Sequence, residues 1–232
     1  MATMIEHKTY WERAKEAGFD LSWLNQLKEN VVREEVDEVS DNLTGRVAGS
    51  IARPGVAKFG AYPFRTKKEV WGYNLRKLYE EFVSRQWSSA TDIPWDTLEE
   101  LPDDVEAAEC QLATFFAQVE FVAADVPGRF IATMSPDYQD VRMVLLGQVM
   151  DESRHLEVFR KRALANGGGL MRMIDSVSDV VGGSTDGARE YTELSTRLHI
   201  VGEGNVLTLF RLGELMAYNE AEKTIYRRCA QD

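Results

Sequence analysis

With only two cysteines in 232 residues, no disulfide framework can staple this chain. Cys110 and Cys229 fit a reducing compartment and read as plain buried thiols. No run of about 18 apolar residues is present to span a bilayer, and the amino terminus has no apolar leader resembling a signal peptide. The expectation is a cytoplasmic protein. Positive charge is also short: 27 Lys and Arg stand against 38 Asp and Glu, a net charge of −11. Such a surface repels phosphate backbones and anionic lipid, so neither nucleic acid nor a membrane surface is an expected partner. Strand-like alternation is absent too, and the 17 glycines and 6 prolines cluster, leaving room for long helices.

Those helices can be placed. Residues 7–39 look helical in pieces, with Asp20 a plausible N-cap. From Asp41 to Phe64 glycines and prolines punctuate aperiodic apolar residues, which predicts a long irregular loop that could serve as a lid or an interface arm. Thr66 with Glu69 forms a capping-box pattern for a helix that ends before Trp87. Residues 87–95 (WSSATDIPW) read as a turn. Further helices are expected over Asp103–Val126, broken at Pro127-Gly128; from Pro136 or Asp137 to Asn166, stopped by Gly167-Gly168-Gly169; over Leu170–Val181; over Asp186–Ala217; and from an Asn219 N-cap onward. The glycine triplet lacks a following Lys-Ser/Thr and is no phosphate loop. The class is all-α: residues 1–65 form N-terminal helices and loop, and residues 66–232 a four-helix bundle.

Polar residues at core positions carry the chemistry. Glu120 is flanked one turn away by Phe116, Ala117, Ala123 and Ala124, so its carboxylate points into the bundle, where it needs an ionic partner or a cation. Glu152 and His155, three residues apart, share one helical face and can reach one ion. Glu-x-x-His is the ligand unit of di-iron and di-manganese carboxylate bundles. Asp151 beside it can hydrogen-bond a ligand histidine and fix its tautomer. Glu203 sits between Gly202 and Gly204, each costing about 1 kcal/mol in a helix interior; this predicts a close approach of another backbone, a non-helical bulge near a site or a simple helix break at Gly202. His199, one turn earlier, is either a supporting partner behind the ligands or an ordinary helix residue. Arg154 and Arg197 either neutralise core carboxylates or face solvent. Glu120 precedes Glu-x-x-His by 32 residues. The same spacing from Glu203 places a second such pair where the sequence ends, with Asp232 standing as Asp151 does.

Glu120, Asp151-Glu152-Ser153-Arg154-His155 and Glu203, with the tryptophan turn at 87–95, make residues 66–232 resemble the ferritin-like superfamily. Within it the chain is similar to the di-iron oxygenases and oxidases related to the ribonucleotide reductase small subunit and the aminobenzoate N-oxygenases. The resemblance implies a ferritin-like four-helix bundle with additional N-terminal helices. It also implies two iron ions, with manganese an alternative, and O₂ as co-substrate. Glu120, Glu152 and His155 would bind one ion, with Glu152 and Glu203 bridging, and the second ion would need a further Glu and His. Asp151, Asp232 and His199 would stand behind the ligands. The N-oxygenases carry an extra histidine where this chain has Cys229, so that activity is not supported. Tyr79, Tyr218 and Tyr226 read as core or interface residues.

The functional expectation is an oxygenase or oxidase acting on a small organic molecule, served by an electron-donor protein, with Phe116, Phe121, Leu145 and Val149 as pocket walls. A ferritin-like protein binding iron or manganese without an organic substrate, and a scaffold with a vestigial site, remain open alternatives. Helical faces left outside the bundle suggest a homodimer.

Overall fold

A computed structural model describes residues 9–16, 54–55, 62–64, 67–70, 72–173, 188 and 190–232. The expected Asp20 cap, most of the 41–64 loop, Thr66, most of the 170–181 helix and the Asp186 helix start lie outside these residues. The described chain is an all-α bundle. Its helices are α1 (Tyr10–Glu16), α2 (Lys67–Val70), α3 (Leu75–Ser84), α4 (Asp103–Ile131), α5 (Gln139–Ala165), α6 (Tyr191–Ser195), α7 (Glu203–Met216) and α8 (Glu220–Cys229). A 3₁₀ turn spans Trp95–Thr97. Between α6 and α7, residues Thr196–Gly202 are π-helical and join the two without a break. No helix among the described residues is long and apolar enough to cross a membrane.

The two long helices explain the bundle. In α4 the buried positions Ala113, Phe116, Ala117, Glu120, Ala123 and Pro127 recur every three or four residues, and in α5 Val141, Leu145, Glu152, His155, Phe159 and Arg162 do the same. Such stripes must face other protein, and these two face each other along most of their length. The polar residues Glu120, Glu152 and His155 therefore stand where leucines would be expected. Asp103, Asp104 and Glu106 in the first turn of α4 suit the positive end of its dipole. α5 stops at Asn166; Gly167 follows with φ +82°, the left-handed C-terminal conformation that glycine adopts without steric cost.

Two expected boundaries are corrected. α4 does not break at Pro127 but continues to Ile131. Proline forfeits one backbone hydrogen bond, and its fully buried ring is packed in the interior in compensation. This extension levels the site: Glu120 lies eleven residues before the end of α4 and Glu152 thirteen into α5, only about 3 Å apart along the bundle. The helix expected from Thr66 is divided into α2 and α3 around Gly72–Asn74, residue types that favour turns over helix interiors. Leu170–Met173, expected to begin a short helix, is non-helical.

α8 starts as expected: Asn219 Oδ1 accepts a 3.0 Å hydrogen bond from the Glu222 amide. α8 packs on α7 and reaches α5 and the 3₁₀ turn. An aromatic core of Trp87, Phe116, Phe159, Phe210 and Tyr226 lies between these elements, with Phe116 and Phe159 stacked at 4.9 Å. At the far end, Phe64 pairs with Met134 in an isolated parallel bridge.

Candidate metal centre

Glu120 from α4 and Glu152 and His155 from α5 meet in the middle of the bundle. One ligand atom from each lies within 4.8 Å of the others, and all three residues are buried. The imidazole is oriented by its two neighbours. Nδ1 faces the acids, at 3.2 Å from Glu152 Oε2 and 3.7 Å from Glu120 Oε2. Nε2 faces Asp232 Oδ2 at 3.2 Å. With the Nε2 proton given to Asp232, the Nδ1 lone pair is left to the side where the carboxylates converge.

Asp232 is held in turn. Its Oδ2 accepts from Trp87 Nε1 at 2.7 Å and from Arg154 Nη2 at 2.8 Å. Its side chain is only 3 % exposed, although the main chain there is open to solvent. Arg154 also donates to Asp151 and to Gln86 Oε1, and its guanidinium lies 4.8 Å over the Trp87 ring. Of the two expected roles for Arg154, neutralising core carboxylates is the one observed. Arg197 instead pairs with Glu193 at the surface. Asp151 bonds Arg154 rather than a histidine; the residue behind His155 is Asp232, 77 positions away and also expected behind the ligands.

The electrostatics show what the cluster lacks. Burial, reinforced by the Glu120 charge, pushes the Glu152 carboxyl up to about 7. Burial together with the Glu152 charge does the same for Glu203, also to about 7. Burial alone would pull the His155 imidazole down, but its hydrogen bonds to the carboxylates around it, Asp232, Glu120 and Glu152, outweigh this and raise it. Glu120 Oε1 and Glu203 Oε1 are buried without any hydrogen-bond partner. A buried carboxylate oxygen without a donor is costly, and a cation is the partner that such a group accepts. Two carboxylates and an imidazole form a donor set suited to iron or manganese, so the residues present fit a metal ion.

Glu203 lines the same cavity but stands outside the tight three-residue group. It opens α7 at the exit of the π-helical turns; the helix does not break at Gly202, and a π-helical widening stands in place of the expected non-helical bulge. His199 lies within those turns and also lines the cavity. Its partners are Gln148 Oε1 at 2.8 Å and Ser195 Oγ at 2.9 Å, not a ligand carboxylate. Cys229 is buried against the cluster, and burial pushes its thiol up to about 12.

The cavity has a volume of about 810 Å³. Of the four expected wall residues only Leu145 lines it. Phe121 is 57 % exposed, because the residue after Glu120 is turned about 100° away from it. Phe116 belongs to the aromatic core beneath, and Val149 does not reach the cavity. Phe82, Val206 and Phe210, which no sequence pattern singled out, form walls instead.

A second buried polar network went unnoticed in the sequence. Arg162 clamps Glu106 through Nη1 at 2.7 Å and Nη2 at 3.1 Å and donates to Glu222 through Nε at 2.7 Å. It ties α4, α5 and α8 together. Its only sequence signal is that Arg162 and Glu222 fall at core-facing helical positions.

Comparison of this chain with protein-family models, with characterised proteins and with solved structures gave no match, so the chemistry of this cluster stands on its own geometry.

Proposed function

We propose that this protein is a ferritin-like carboxylate metalloprotein, a non-haem di-iron oxidoreductase that uses O₂ to oxidise a small organic molecule. The observation that supports it is the buried Glu120–Glu152–His155 convergence, in which one Glu120 carboxylate oxygen has no hydrogen-bond partner. Iron held there would supply the electrons for reducing dioxygen. The side chains do the rest. Glu120 and Glu152 supply negative charge that balances a dication, and Glu203 extends the acidic lining toward a second ion. Asp232 keeps the His155 Nε2 proton on the far side from the cluster, and Trp87 and Arg154 keep Asp232 in place. Phe210, edge-on to the His155 ring with centroids 6.4 Å apart, helps exclude water. The cavity beside the acids leaves room for an organic molecule and for contact with an electron donor at its mouth.

The test has two stages. Anaerobic titration with Fe²⁺ or Mn²⁺, followed by calorimetry, should give saturable binding that Glu120→Ala, Glu152→Ala and His155→Ala each abolish. The iron-loaded protein should then consume O₂. Absence of stoichiometric binding in the parent chain would falsify the proposal, and binding without O₂ consumption leaves a metal-binding protein with no oxidase activity.

A further inference from the structure

The metal-site reading uses only one end of the cavity. Beyond the acids the lining combines apolar side chains, Leu75, Phe82, Leu145, Val206 and Phe210 among them, with Arg85, Thr192 and Thr196, each bonded to a backbone carbonyl. A polar strip lies a single helical turn from the proposed ligands: Gln148 precedes Glu152 by four residues and His199 precedes Glu203 by four. The strip has a defined donor direction. Ser195 Oγ donates to His199 Nδ1, and His199 Nε2 donates to Gln148 Oε1, which a carbonyl oxygen can only accept. Burial lowers the His199 imidazole, in keeping with one neutral ring that both accepts and donates. The chain of bonds ends on the Gln148 amide nitrogen, whose two hydrogens have no partner among the described residues. Tyr191 lines the same cavity, and its hydroxyl has no partner among the described residues. Two residues with protons to give thus belong to a mainly apolar lining.

Charge narrows the choice. Glu69, Glu81, Asp151 and Asp232 line the cavity in addition to the metal cluster. Against them, Arg85 is engaged with the Gln231 carbonyl at 2.9 Å and with Glu81 at 3.9 Å. An anionic ligand would enter an acidic field with no uncommitted cation among the described lining residues. We infer that the cavity receives an uncharged, mainly apolar molecule carrying one carbonyl-type acceptor, which the Gln148 amide and the Tyr191 hydroxyl recognise. This deepens the proposed function by naming its substrate class, and rests on that reading only for the ligand's role as substrate.

The experiment compares three probes sharing a phenylalkyl body: 4-phenylbutan-2-one, butylbenzene and 4-phenylbutanoate. Binding to the full chain is measured by calorimetry or ligand-observed NMR, with EDTA and again with Mn²⁺. With EDTA, where no cation offsets the acidic lining, the ketone should bind about tenfold more tightly than the carboxylate. Gln148→Leu should weaken ketone binding about fivefold and leave butylbenzene unchanged. Tyr191→Phe, which removes only the hydroxyl, should act in the same direction and guards against a folding defect in the first variant. Equal or tighter carboxylate binding in EDTA, no binding of any probe, or an unchanged ketone-to-hydrocarbon ratio in both variants overturns the inference. Ketone preference in a chain that binds no metal upholds it while the metal reading falls.

Discussion

Glu120→Gln should make the metal-free protein more stable and the metal-supplied protein less so. In the metal-free cluster two buried carboxylates converge, and the Glu152 carboxyl is raised from 4.5 to about 7 by burial first and the Glu120 charge second. A carboxyl raised in the folded state lowers stability above its ordinary value. The loss starts near pH 4.5, grows until about pH 7 and stays constant beyond. At 1.36 kcal/mol per unit the full loss is about 3 kcal/mol. The Glu120 charge accounts for the smaller share, and the glutamine amide can donate to Glu152, so about 1 kcal/mol should return in the variant. For a chain of this size that is a rise of roughly 2–4 °C in Tm. With Mn²⁺ at about 100 times its Kd the parent gains about 2.7 kcal/mol, whereas the variant, lacking a ligand charge, gains little. Thermal unfolding followed by circular dichroism, with EDTA and with Mn²⁺, should show the two stability orders cross. The variant's advantage in EDTA should shrink between about pH 8 and about pH 5. A variant less stable in EDTA at neutral pH, or one that gains as much from Mn²⁺ as its parent, refutes the reasoning.

Other outcomes follow from the same geometry. Asp232→Asn removes the charged acceptor behind His155 and should weaken Mn²⁺ binding about 10- to 100-fold in a calorimetric titration, with the helical signal unchanged. Arg162→Met leaves Glu222 buried without its cation and should cost about 3–5 kcal/mol in urea unfolding. Its bonds to Arg162 hold the Glu106 carboxyl below its ordinary value, so that contribution is present at neutral pH and lost as pH falls through the lowered value; the gap between parent and variant should narrow in acid. Gly213→Ala would put a Cβ 2.7 Å from the Tyr226 ring and should cost about 1–3 kcal/mol in the same assay.

The fold was legible wherever one physical signal dominated. Apolar stripes in α4 and α5 have a clear helical period, Asn219 is a strong cap, and Gly167 marks the end of α5, so each helix was expected within a few residues of where it lies. Two boundaries were missed because a local preference was read as decisive. Pro127 does remove a hydrogen bond, but a helix already twenty-four residues long and packed along its whole face does not end for one lost bond. At Gly72–Asn74 the opposite happened: α3 has no buried residue of its own, and with so little packing to hold it the turn-forming residues prevailed.

Glu120, Glu152 and His155 were visible in the sequence because a charge on an apolar stripe is conspicuous from spacing alone. Of what surrounds them Asp232 was expected, but its partners were not, since those contacts depend on which elements become neighbours. Trp87 and Asp232 are 145 residues apart, yet one proton links them; no local pattern could pair them. The π-helical turns before Glu203 show how such long-range demands act on local structure. Gly202 and Gly204 weaken the α-helix there, and the wider turns carry His199 to Gln148 on α5, 51 positions away in sequence. A regular α-helix through 196–202 would present a different set of side chains to α5, since each residue turns the face by about 100°. The glycines therefore serve less to end a helix than to let it open by one register step. That step places Glu203 at the start of α7, in the lining of the same cavity as Glu152.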